Sequence, residues 1–272
     1  LGYRTIAIYT DADKKSLHVA LADEAINIGL GPVNASYLDI NKIIDVAKQT
    51  NAQSIHPGYG FLSENSNFAK AVELAGLTFI GPKSEAIALM GSKSVSKKKM
   101  LEAKVPCIPG YQGDDQSDNT LLKSAKKIGF PLMIKASAGG GGRGMRLVNQ
   151  VDDLKDALKI ARAEALNAFG SSELILEKAF VNARHIEIQI ISDAYGSHLY
   201  FGERDCSIQR RHQKVIEESP SPVMTKMLRE KMGKAAVCAA KAVDYTNAGT
   251  IEFLVDDQLN YYFLEMNTRI QV

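Results

Sequence analysis

Lys135-Ala-Ser-Ala-Gly-Gly-Gly-Gly-Arg-Gly-Met145 joins two apolar runs, Leu132 to Ala136 before it and Arg146 to Val148 after it, through a loop almost devoid of side chains. Both flanks read as short strands. Gly139, Gly140, Gly141, Gly142 and Gly144 then form the tip of a glycine-rich hairpin, where a positive φ carries no steric penalty and backbone amides can turn toward an anion. Such a loop suits a phosphate chain, and Lys135 at its entry adds positive charge; the alternative on this stretch alone is a flexible solvated hairpin. The letters at Gly139, Gly141 and Gly144 also spell G-x-G-x-x-G, but a dinucleotide fingerprint opens a helix and here a strand follows. No G-x-x-x-x-G-K-[ST] occurs, which excludes a Walker loop.

Upstream, short apolar runs alternate with helical patterns: Thr5 to Tyr9, Glu24 to Ile28, Ile40 to Lys48, Ser54 to His56, Phe68 to Ala75 and Thr78 to Ile80. Strands spaced by helices predict a parallel sheet, so 1–82 is expected to be an α/β domain. The chain opens on Gly2-Tyr3-Arg4 directly before a strand, as if a first strand were missing. His56 to Glu64 lies at the carboxyl end of a parallel strand, where such sheets bind ligands, although a structural turn explains it nearly as well. Helices are expected over Ser84 to Met90 and Lys93 to Ala103. Lys97, Lys98 and Lys99 read as a solvated face, whereas Lys93 at the helix start is available to a phosphate. Pro106 to Gly110 reads as a linker, and 83–272 as a second domain of α+β type.

Downstream, Val151 to Phe169 and Met224 to Val243 read as packing helices. Arg184-His-Ile-Glu-Ile-Gln-Ile190 alternates strictly, putting His185, Glu187 and Gln189 on one face. Glu203 to Lys214 is a dense polar run without interleaved aromatics, which favours a small anionic substrate over nucleic acid. Gly249 to Val255 and Tyr261 to Asn267 read as a hairpin. A tight turn centred between Gln258 and Leu259 places Glu252 opposite Glu265. Facing carboxylates repel, so either the register differs or a divalent cation, for which Mg²⁺ is the natural choice beside phosphates, sits between them. Period two carries Asn267, Arg269 and Gln271 onto the face of Glu265.

The balance of 33 Lys plus Arg against 31 Asp plus Glu calls for neither nucleic acid nor an anionic membrane. No apolar run approaches the ~20 residues that span a bilayer. Cys107, Cys206 and Cys238 form no C-x-x-C and read as free thiols in a reducing, cytoplasmic compartment, with the mitochondrial matrix as the alternative.

Taken together, the glycine-rich stretch, Arg184 to Gln189, Glu203 to Lys214 and Glu265-Met-Asn-Thr-Arg-Ile-Gln-Val272 closely resemble the biotin carboxylase family over the entire chain. The resemblance implies an ATP-grasp fold and an ATP-dependent ligase. Lys93 and Lys135 would hold the phosphates, with Gly139 to Gly144 as the lid loop. Glu177, Lys178 and Phe180 would flank adenine, and His185, Gln209 and His212 would line the nucleotide site. Glu252, Glu265 and Asn267 would hold Mg²⁺ (or Mn²⁺), while Lys214, Arg269, Gln271 and Val272 would gather bicarbonate and the biotin ring. The implied partners are a biotin carboxyl carrier domain, a carboxyltransferase subunit and further copies of the same chain. Asn167-Ala-Phe-Gly170 and the strand after it look most like methylcrotonyl- or geranyl-type alpha subunits. The competing readings are another ATP-grasp ligase, such as a carbamoyl-phosphate synthetase, and a nucleotide-binding module without turnover. Two departures stand out: Ser92 where the family has an aspartate, and an end at Val272, before the family's general base and C-terminal lobe. On that reading the chain is expected to bind nucleotide without carboxylating biotin.

Overall fold

The computed structural model describes residues 2–138, 145–180, 182–210 and 213–271. The chain divides into two compact units, 1–87 with 268–272, and 88–267.

In the first unit, β1 (Ile6–Tyr9) and β2 (Glu24–Asn27) pair in parallel across α1 (Leu17–Leu21). After α2 (Ile40–Gln49), β3 (Ser54–Ile55) and β4 (Thr78–Phe79) pair in parallel across α3 (Ser66–Leu74). The side chain of Asp39 accepts from the Lys42 amide at 3.1 Å, and that of Asn65 from the Phe68 amide at 3.0 Å, so both longer helices begin on capped turns. Phe68 stands edge-on to Phe79 with ring centroids 6.0 Å apart, over a core that includes Ile43, Ile44 and Val72. The returning segment is tied here too: Glu64 accepts from the Thr268 amide at 3.1 Å and from Arg269 Nε at 3.2 Å.

α4 (Ser84–Gly91) leads into the second unit, which opens with α5 (Lys93–Glu102), capped by Ser92. Next come β5 (Gly110–Tyr111), α6 (Asp118–Ile128), β6 (Leu132–Ala136), β7 (Met145–Val148), α7 (Leu154–Phe169) and β8 (Leu174–Lys178). They build a four-stranded sheet in the order β5-β8-β6-β7. Strands β6 and β7 are antiparallel, ending on the pair Lys135 and Met145, so the flanks of the glycine-rich stretch are strands; its tip lies outside the described residues. Leu121, Leu132, Ile134, Leu154, Leu158, Leu174 and Leu176 form the core between α6, α7 and this sheet.

A second sheet, in the order β11-β10-β9-β12-β13, is made by β9 (Arg184–Ser192), β10 (His198–Arg210), β11 (Gln213–Glu218), β12 (Asn247–Val255) and β13 (Tyr261–Asn267), with α8 (Lys226–Ala242) on one face. Tyr200 sits opposite Ile190, and a Cβ on Gly233 of α8 would lie 2.5 Å from the Tyr200 ring, so the face carrying Ile186, Ile188 and Ile190 is the one that α8 covers. His185, Glu187 and Gln189 therefore share the other face, as the alternation requires.

Two expectations need correction. Pro106 to Gly110 is no free linker: the Phe263 amide donates to the Pro106 carbonyl at 2.7 Å, and Gly110 pairs with Glu177 at the sheet edge. Lys97 is 5% exposed, unlike a solvated lysine.

Candidate nucleotide and bicarbonate site

Strand register lays out the first half of the site. Arg204, Glu187, Glu252 and Glu265 are successive partners across β10, β9, β12 and β13, so three carboxylates stand in one row. The pair Glu252 and Glu265 arises in a way the symmetric turn did not anticipate. From Val255 with Tyr261 to Phe253 with Phe263 the strands are symmetric about Gln258 itself, and an extra β13 residue, Leu264, then shifts the register by one. A β-bulge thus delivers the facing pair.

The repulsion in the row is offset by a means the sequence reading left out, namely cations of the protein. Lys214 Nζ donates to Glu187 Oε2 and to Glu252 Oε1, each at 2.6 Å. Arg204 Nε donates to the other Glu187 oxygen, and Lys93 Nζ lies 3.4 Å from Glu265 Oε2. Glu252 Oε2 pairs with His185 Nε2, and the Gln209 amide nitrogen lies 2.7 Å from His185 Nδ1. Asn267 Nδ2 donates to Glu252 Oε1 at 2.6 Å. Burial alone would raise the Glu252 pKa, but the His185 bond and the Lys214 charge pull it down to about 2. Burial works against the Lys214 charge, yet Glu252 and Glu187 hold that ammonium above the ordinary lysine range.

The second half of the site is a buried triad on the four-stranded sheet. Glu177 on β8 accepts from Lys135 on β6 at 2.5 Å through one oxygen and from Lys97 on α5 at 2.7 Å through the other. Burial would raise the Glu177 pKa, but Lys135 and Lys97 bring it down to about 2. Lys93, Lys97, Lys135, Glu177, Phe263 and Glu265 line an enclosed cavity of about 30 Å³. Beyond Glu177 in the chain, Lys178 Nζ donates to the Phe130 carbonyl at 2.7 Å, and Phe180 stacks on Tyr262 with centroids 5.0 Å apart.

The structure therefore brings Lys93, Lys135 and Glu177 together around one cavity, and His185, Gln209, Lys214, Glu252 and Asn267 together on one sheet face. Arg269 and Gln271 belong to the first unit, where Arg269 Nη1 donates to Gln271 Oε1 at 2.6 Å. The glycine tip, His212 and Val272 lie outside the described residues. Sequence reasoning missed Lys97, Arg204 and the buried role of Glu187. The signal for Glu187 was its place between two isoleucines on a strand, where a fully covered carboxylate needs cations at both oxygens.

Glu252, Glu265 and Asn267 carry the oxygen donors that a hard dication takes; a dication would displace the Lys214, His185 and Lys93 contacts that these carboxylates now make. Glu187, Cys206 and Glu217 also lie close together, but burial together with the Glu187 charge pushes the Cys206 thiol up to about 12, so that group does not suit a metal. Burial also pushes Cys107 up to about 11, whereas Cys238 on α8 is exposed.

The depressed carboxylates set an acid limit. Glu177 and Glu252 ionise near 2 when folded against 4.5 ordinarily, so their contribution is fully present above pH 4.5 and is lost as pH falls toward 2. Each accounts for on the order of 3 kcal/mol across that window. Urea midpoints should be level from pH 7 to 5 and fall steeply below 4.5, and the fall should be shallower in Glu177→Gln. A midpoint unchanged at pH 3 would show that these carboxylates are not held as described.

Residues 1–87 match the family model "Biotin carboxylase, N-terminal domain", and residues 92–272 match "Carbamoyl-phosphate synthase L chain, ATP binding domain". The chain belongs to the biotin carboxylase family. Within that family it is 55% identical to the mitochondrial methylcrotonoyl-CoA carboxylase subunit alpha of Dictyostelium discoideum, covering 100% of this chain and 39% of that protein. It is 50% identical to biotin carboxylase 1 of Bacillus subtilis, covering 61% of it. The solved biotin carboxylase–β,γ-ATP complex from Campylobacter jejuni superposes with a TM-score of 0.95 at 48% identity, covering all of this chain and 61% of that one. The biotin carboxylase domain of Hydrogenobacter thermophilus 2-oxoglutarate carboxylase, solved with MgADP, ADP and bicarbonate, superposes at 0.93 with 48% identity, and 60% of it is covered. The chain thus spans between about two fifths and three fifths of the length of these two curated relatives. Among the described residues no helix is long and apolar enough to cross a membrane.

Proposed function

We propose that this chain supplies the nucleotide- and bicarbonate-binding part of the ATP-dependent carboxylation of biotin, the first half-reaction of an acyl-CoA carboxylase. The observation that carries the proposal is Lys214, a cation bridging Glu187 and Glu252 beside the facing pair Glu252 and Glu265. Bicarbonate attacks the γ-phosphorus of ATP, ADP leaves, and the resulting carboxyphosphate breaks into CO₂ and inorganic phosphate; the phosphate takes the N1′ proton of biotin as N1′ bonds to CO₂. Lys135 and Lys93 place positive charge where the phosphoryl group gathers negative charge, and the largely buried wall excludes water. A hard dication held by Glu252, Glu265 and Asn267 would supply Lewis acidity toward the phosphate oxygens. Lys178 and Phe180 form the adenine edge, with Glu177 behind it, while Gln209 fixes the His185 ring. Lys214 carries the positive charge for bicarbonate.

The carried substrate is biotin on a carrier domain, the partner that uses carboxybiotin is a carboxyltransferase subunit, and the working protein is a homo-oligomer. Relatives at this identity include methylcrotonoyl- and propionyl-CoA carboxylases, and the first of these fits the notable run at Asn167 to Gly170. Either the cytoplasm or the mitochondrial matrix suits it. The matched ATP-binding model also favours a second reading, synthesis of carbamoyl phosphate through the same carboxyphosphate step. ATP hydrolysis dependent on bicarbonate separates the two: stimulation by free biotin supports the proposal. Stimulation by ammonia with carbamoyl phosphate as product, and no response to biotin, would replace it.

A further inference from the structure

Two buried lysines share one carboxylate in the triad, and only one of them figures in the reading above. Lys97 and Lys135 are 5% and 8% exposed, and Glu177 is 8% exposed, so the group holds a surplus positive charge away from water. That arrangement is costly in a folded protein unless an anion completes it. Lys97 stands one helical turn after Lys93 on α5, so both side chains reach the same cavity. The wall opposite is shaped around it. A Cβ on Gly110 would lie 2.8 Å from Lys97 Nζ and 2.3 Å from the Leu176 carbonyl oxygen, so any larger residue at 110 would press on the lysine or displace the strand.

We propose that Lys97 is a positioning residue for nucleotide binding: by occupying one oxygen of Glu177 it prevents that carboxylate from neutralising Lys135, and so leaves Lys135 free to move its charge onto a phosphate. This rests on the nucleotide reading of the cavity. Without Lys97, Glu177 and Lys135 become a neutral buried pair, and a phosphate recruiting Lys135 would leave a bare buried carboxylate behind. With Lys97 present, Glu177 stays paired after Lys135 turns away. Lys97 needs no contact with the nucleotide to do this.

The test is MgADP binding by calorimetry to wild type, Lys97→Met, Lys97→Arg and the double variant Lys97→Met with Glu177→Gln. Lys97→Met should bind on the order of tenfold more weakly, the worth of about one charge-assisted hydrogen bond. Lys97→Arg, which keeps the charge on Glu177, should bind like wild type. The double variant should recover most of the affinity, because no carboxylate is left to hold Lys135; a purely structural role predicts further loss instead. If Lys97→Met fails to melt cooperatively, Lys97→Gln, which keeps a donor for Glu177, takes its place with the same expectation. Unchanged affinity in the neutral variants, or no recovery in the double variant, overturns the role of Lys97 while leaving the nucleotide site standing. Absence of MgADP binding by wild type overturns the nucleotide reading and this inference with it.

Discussion

Lys135→Ala is expected to weaken MgADP binding by on the order of a hundredfold, the cost of one buried charge-assisted contact to phosphate. Three features concentrate the effect on this residue. It leaves β6 at the point where the glycine-rich stretch begins, it is almost wholly buried, and its ammonium is held by a single carboxylate oxygen. The variant should still melt cooperatively, since Lys97 continues to satisfy Glu177 at 2.7 Å. Calorimetry on the folded variant decides the matter; an affinity equal to wild type would remove Lys135 from the site.

Glu252→Gln should be the more disruptive change. The carboxylate is 3% exposed and accepts from Lys214, His185 and Asn267, so the amide would turn a donor toward at least one of these donors and leave Lys214 held by Glu187 alone. Removing one partner from a buried ion pair typically costs about 3–5 kcal/mol. A loss of that size in urea unfolding is expected, together with loss of the Mg²⁺ dependence of nucleotide binding. Equal urea midpoints and equal Mg²⁺ titrations for variant and wild type would refute both the network and the metal assignment.

Much of this was legible because period and turn chemistry are local. The strands flanking the glycine run, the strict alternation of β9 and the long packing helices follow from residue order alone. The charge network was not, because its members meet only through long-range register. Lys97 sits within a run of three lysines, and nothing local separates the buried one from Lys98, which pairs with exposed Asp114. Likewise, Glu203 to Lys214 could be recognised as polar, but its division between two paired strands depends on partners in β9. The Glu252 and Glu265 pairing shows how a correct expectation can rest on incomplete grounds: symmetry about the turn names the partners, whereas the extra residue at Leu264 is what aligns them.

The three thiols have a practical consequence. Alkylating reagents attack the thiolate, and burial holds Cys107 near 11 and Cys206 near 12, which leaves both essentially protonated in neutral buffer. Cys238, exposed on the helix that backs the five-stranded sheet, is therefore a ready-made single attachment point for a fluorophore. A maleimide dye could be placed there in one step on unmutated protein, with no cysteine-free background to engineer first.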